Sequence, residues 1–366
     1  MDDYTWKKTI RRRRIHRNRQ VFGLVVLLII TALAGTIWYF YNQRHSPEYA
    51  LKEIQTAVEK QDADAFRHYV NLDLLTSRAY DDLTADLFSY DATLTAATKA
   101  SYEKFYIMVK PQLTNGTEDT ILRRVSSGSW TMPEGTDILK GRQLGIDYER
   151  FLERTQMRHT SFVSFGKITR DGTTATAEMT VKDDDTQTEF TLELAMEQAA
   201  DGHWQVTYLK NYRAYLDAVT PLHNNDIAQY IDSTKDIISA YNEKFTAYKQ
   251  RFTALSSTGP GSFTAVQKQG LTALLQQEVI PALQERQQKL DEIDIPSGAR
   301  YLADQRQQST ELTIEAWQHF LQGLADDNPD EFAKGESLHK EALARDLRVD
   351  DIIRHTAVSR NIPNLP

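Results

Sequence analysis

Apolar and polar positions change rhythm along the chain. Residues 21–41, VFGLVVLLIITALAGTIWYFY, hold no charged side chain. As a helix this run is about 31 Å long, which matches the hydrocarbon thickness of a bilayer. It predicts a transmembrane anchor through Val21, Leu24, Leu27 and Ile30, with Trp38 and Tyr41 at the outer interface. Ser46-Pro47 then starts a helix, Ser46 as N-cap, and Tyr49, Leu51, Ile54 and Val58 recur at helical spacing. Asp62 caps a second, short helix carrying Phe66 and Tyr69. Helical segments follow near residues 74–90 and 97–109. The latter ends at Pro111, Asn115-Gly116 forms a turn and Thr117 caps another helix. Residues 128–145 read as irregular.

From Thr160 the period drops to two. Phe162, Phe165 and Ile168 lead to the turn Asp171-Gly172, and Glu189 to Glu197 alternates Phe190, Leu192, Leu194 and Met196 against polar neighbours. Asp201-Gly202 turns into Trp204–Leu209. This predicts an antiparallel meander of four strands, its apolar face covered by the preceding helices.

After Pro221 the pattern is helical again. Ile231, Thr234, Ile238, Tyr241, Phe245, Tyr248, Phe252 and Leu255 form a narrow coiled-coil-like seam. A second helix is kinked at Pro281, and a third carries Trp317 and Phe320. A fourth opens at Asn328-Pro329. Short connections favour an antiparallel bundle. The fold class is therefore α+β: one N-terminal span, helices on the meander, then an all-α bundle. The boundaries expected are 1–20 basic segment, 21–41 anchor, 46–220 α+β domain, 221–348 bundle and 349–366 flexible tail.

The stretch SPEYALKEIQTAVEKQDADAFRHYVNLDLL, with its Asp62 break, resembles a family of bacterial membrane-anchored proteins of unknown function. WQVTYLKNYRAYLDAV is similar to that family's last strand and following helix. The resemblance spans about residues 46–220. It implies a cystatin-like, or nuclear-transport-factor-like, α+β domain that can form a conical cavity, and it carries over no catalytic residue.

Charge orients the anchor. Before it stand Lys7, Lys8, Arg11, Arg12, Arg13, Arg14, Arg17 and Arg19 against Asp2 and Asp3, in a chain whose net charge is −8. Basic flanks stay cytoplasmic, so the N-terminus is expected inside and the bulk outside the cytoplasmic membrane. The bilayer, through its headgroups, is the expected partner of this segment, rather than nucleic acid. Ala32-Leu33-Ala34 fits a signal-peptidase site, but the apolar run continues past it, favouring a retained anchor. Ala32 and Thr36 form a small-xxx-small pair that would suit a homodimer. The chain has 366 residues and no cysteine, which removes disulfides, thiolate-ligated metals and thiol nucleophiles. A large extracytoplasmic body without disulfides points to a bacterial envelope.

Phosphate loops, dinucleotide glycine patterns, nucleophile elbows and HExxH are all absent from the sequence. Glu315 with His319, and Glu336 with His339, form a partial match to bundle metal sites, outweighed by their reading as surface residues. Phe162, Trp204, Tyr208 and Tyr212 would line a pocket if the α+β domain were hollow, but with Tyr215 they read first as core. Asp183-Asp184-Asp185 reads as a solvated turn rather than a calcium loop. The expectation is a non-enzymatic binding or scaffolding protein of the envelope, without cofactor, meeting other envelope proteins. The alternatives are a small-molecule or lipid carrier and, further off, a metal site in the bundle.

Overall fold

The computed structural model describes residues 30–31, 45–89, 95–131, 147–256 and 263–360. The anchor and the basic segment before it lie outside the described residues, except for helical Ile30 and Thr31. Among the described residues no helix is long and apolar enough to cross a membrane.

Helix α1 (Pro47–Glu59) is capped by the Ser46 hydroxyl, which accepts from Tyr49 N–H at 3.2 Å. Helix α2 (Ala63–Tyr69) is capped by Asp62, accepting from Ala65 N–H at 2.9 Å. Helix α3 (Leu72–Ser89) follows. The interruption expected at Pro111 does not occur, since α4 is one helix, Ala96–Ser127. Pro111 sits inside it, and Thr117 turns its hydroxyl onto the Leu113 carbonyl at 2.7 Å instead of capping. Packing overrides the local signals. Val109 and Leu113 bury against Tyr80 of α3, and a Cβ at Gly116 would stand 3.0 Å from the Tyr148 ring. Gly116 is thus a close-approach site, not a turn. Gly128, with φ of 73°, ends α4, and residues 132–146 lie outside the described residues.

Helix α5 (Tyr148–Arg154) leads into the sheet: β1 (Thr160–Asp171), β2 (Thr174–Asp183), β3 (Glu189–Gln198) and β4 (Trp204–Leu209). The order is β1-β2-β3-β4, antiparallel throughout, as the period-two pattern predicts. Leu194 and Met196 of β3 pack with Trp204 and Val206 under Ala50 and Leu51 of α1. The preceding helices are only part of the cover. Tyr212, Tyr215, Leu216 and Val219, from the helix after β4, complete it over Val181 and Leu192.

That helix is α6 (Tyr212–Leu255), which runs through Pro221, so residue 220 lies inside it. Its distal half packs antiparallel to α7 (Ala265–Leu274) and α8 (Ile280–Asp291): Arg251 pairs with Glu278, and Arg286 lies over the Phe245 ring. Between α7 and α8, residues Leu275–Val279 form one π-turn, closed by Ile280 N–H to the Leu275 carbonyl. The wider turn takes up Pro281, whose ring would clash in a regular helix. Helix α9 (Arg300–Asp326) and α10 (Pro329–Arg360) form an antiparallel hairpin, with Ser309 bonded to Asp346 at 2.5 Å and Gly335 against the Ala316 carbonyl. The expected flexible tail from residue 349 is corrected as far as Arg360. Val349 and Ile352 bury among Tyr230, Ala299 and Leu302, so apolar contact continues the helix. Residues 361–366 lie outside the described residues.

Candidate functional site

An apolar concavity lies where α9 turns back into α10. Asp327, at φ 50°, ends α9 in the left-handed region, and Asn328 accepts from Asp330 N–H at 3.0 Å. Pro329 follows, with its preset φ at the helix start. This tight reversal brings Phe332 onto Phe320. A Cβ at Gly335 would be 2.9 Å from the Ala316 carbonyl, so glycine lets the two helices meet closely there. Phe320 forms the floor. Trp317 stands at 90° to it with ring centroids 5.8 Å apart, Phe332 at 68° and 5.3 Å, and Phe263 at 72° and 6.3 Å. The cleft they line has a volume of about 470 Å³, in the range of small-molecule sites. Its polar rim is Glu336 and His339. Lys340 bonds the Glu336 carboxylate at 2.6 Å and holds its pKa below the usual carboxylate value.

The sequence constellation of two Glu–His pairs is therefore split. His319 binds Glu331 at 2.5 Å through Nδ1, and that bond lowers the Glu331 pKa, while Glu315 stands 3.9 Å from His319 Nε2. Glu336 and His339 face the aromatic cleft. Among the described residues no group of three or more His, Asp or Glu is placed to hold a metal.

A second concentration of charge joins the sheet to the helices. The Asp183–Asp185 turn is not merely solvated, because Asp183 is completely buried. It accepts from Thr186 N–H at 2.7 Å and pairs with His223 of α6 at 3.0 Å. Burial would raise its pKa, but the bonds from His223 and Thr186 prevail and lower it. Next to it, His159 lies between Glu153 and Asp185, at 2.8 Å from each. Burial disfavours its charged form, yet the two carboxylates outweigh that and raise its pKa to about 10. A cavity of about 60 Å³ adjoins Glu153, Gln156 and His223. Arg150 and Arg154 bind Asp351 of α10 at 3.0 and 3.7 Å. The cluster ties elements together, and the Thr186 hydroxyl donates to Asp183 within it at 2.7 Å. Its members are scattered from residue 150 to 351, and periodicity carries no signal for such a pairing.

The residues that would line a hollow α+β domain are not brought together. Trp204 is 1 % exposed, in the core with Met196 and Leu51, and donates Nε1–H to the His45 carbonyl at 2.9 Å. Tyr212 packs in the second core group and donates to the Thr155 carbonyl at 2.9 Å. Tyr208 binds Asp82 at 3.1 Å with Arg78 over its ring. Phe162 is exposed on edge strand β1, against Phe165. Of the anchor residues only Ile30 is described, and Arg11, Arg12, Arg13, Arg14, Arg17 and Arg19 lie outside the described residues. The chain matches no family model, no curated protein and no solved structure.

Proposed function

We propose that the chain is a non-enzymatic binding or scaffolding protein of the bacterial envelope, held by a retained single-pass anchor with its N-terminus in the cytoplasm. The observation that carries this reading is the charge-free run of residues 21–41 directly behind an arginine-rich segment. The resemblance of residues 46–220 to membrane-anchored proteins with a cystatin-like domain belongs to the same reading. The described body begins at His45, close behind Tyr41, and His45 is bonded to Trp204. A retained anchor would thus hold the β3–β4 edge near the bilayer. Tethering confines the recognition surface to two dimensions and raises its effective concentration towards envelope partners.

The test is protease accessibility of the full-length chain. Protease added to spheroplasts should cleave the body, inverted vesicles should protect it, and alkaline washing should leave it in the membrane. The reverse protection pattern overturns the orientation, and release by washing overturns the anchor.

A further inference from the structure

The floor and three walls of the α9–α10 cleft are aromatic, and the walls stand steeply across the floor ring. Aromatic faces carry negative quadrupole density, so a concavity built from them attracts positive charge. Among the described residues Glu336 is the one carboxylate on the lining, and no described lysine or arginine lines the space. An anionic ligand would meet both repulsions at once. A primary ammonium needs three acceptors, while the polar lining consists of little more than Glu336 and His339. A quaternary ammonium has no N–H to satisfy, presents methyl groups to the rings and keeps its charge. We propose that this cleft binds a quaternary ammonium group, with Trp317, Phe320, Phe332 and Phe263 around the methyls and Glu336 at the rim.

The carboxylate is already poised for the task. Its partner Lys340 is itself solvent-exposed and lies outside the lining, so Glu336 can turn between the lysine and a cation in the cleft. His339, with its ring centroid 6.4 Å from Trp317, flanks the same opening. Nothing in this argument depends on the anchor, so the two proposals fail separately.

Calorimetric titration of the full chain in a maltoside detergent tests it, with choline and its neutral isostere 3,3-dimethylbutan-1-ol as probes. Choline should bind about tenfold more tightly than the isostere, the scale of a desolvated cation–π contact. Glu336→Gln should weaken choline severalfold and leave the isostere unchanged, and Phe332→Leu should weaken choline without altering the far-ultraviolet dichroism. Equal affinity for choline and the isostere, or no heat at millimolar choline, overturns the proposal. Glycerophosphocholine separates the two sources of this chemistry: tighter binding than choline assigns a lipid headgroup, and weaker binding assigns a free cation.

Discussion

Arg348 of α10 and Asp147, separated by 201 positions, form a two-point ion pair at 2.9 and 3.1 Å. The Arg348 side chain is completely buried, and Asp147 is also the N-cap of α5, accepting from Arg150 N–H at 3.1 Å. Glu149 at 2.8 Å and Gln305 at 2.7 Å complete the shell around the guanidinium. One carboxylate thus starts a helix and neutralises a buried cation from the far end of the chain.

Removing Asp147 takes away the two-point partner of the buried guanidinium and leaves Glu149 as its remaining paired carboxylate. Asp147→Ala should therefore cost about 2–3 kcal/mol, below the ~3–5 kcal/mol of a fully unpaired buried charge but beyond the ~1 kcal/mol of a lost cap. Urea unfolding followed by tyrosine and tryptophan fluorescence checks it. A loss of ~1 kcal/mol or less would show that Arg348 is neutralised without Asp147.

The His159 pairings predict a stability that declines with rising pH. The imidazolium pKa is raised from 6.5 to about 10 by its two carboxylates. Below 6.5 both folded and unfolded chains are protonated there, and the pairs contribute fully. Between 6.5 and about 10 the folded chain keeps a proton that the unfolded chain has released, so stability falls with pH. Asp185, Glu153 and the neighbouring His223 ring are the groups facing it. His159→Gln should flatten the decline in Tm across that window, and an unchanged slope would remove the assignment.

Gly116→Ala sets two opposed effects against each other. Alanine gains about 1 kcal/mol of helix propensity over glycine. Its methyl would stand 3.0 Å from Tyr148, whose hydroxyl is bonded to Thr120 at 2.8 Å and whose ring stacks on Phe151. The ring is held from two sides, so the substitution should lower stability, by about 1 kcal/mol on the scale of mild overpacking. A rise in the denaturant midpoint would show that Tyr148 yields.

Trp204→Ala separates a core role from a ligand-lining one. The indole fills the space between α1 and β3 beneath the Arg170 guanidinium, 4.9 Å from its ring. The expected loss is about 3–5 kcal/mol. A nearly neutral effect on the unfolding midpoint would revive the hollow-domain reading.

The sheet was legible because Asp171-Gly172 and Asp201-Gly202 separate segments of period two, and the caps Ser46, Asp62 and Asn328 announce their helices through side-chain chemistry. What failed to show were features decided by distant partners. Pro111 and Gly116 read as breakers because Tyr148, which packs against the glycine, comes from another helix. The burial of Arg348 had no sequence signal, since its acidic partners stand at the start of α5. Asp183 looks solvated until His223 is brought over it. For the cleft, the Glu336–His339 spacing was visible, but the aromatic box depends on the reversal at Asp327 that seats Phe332 on Phe320.

Helix α6 contributes its first turns to the sheet's core and its last to the packing around α7 and α9. At 1.5 Å per residue it is a strut of about 66 Å. Phe252, against the Trp317 ring at the far end, and the tyrosines beneath the strands at the near end are thus carried on one helix that runs through Pro221.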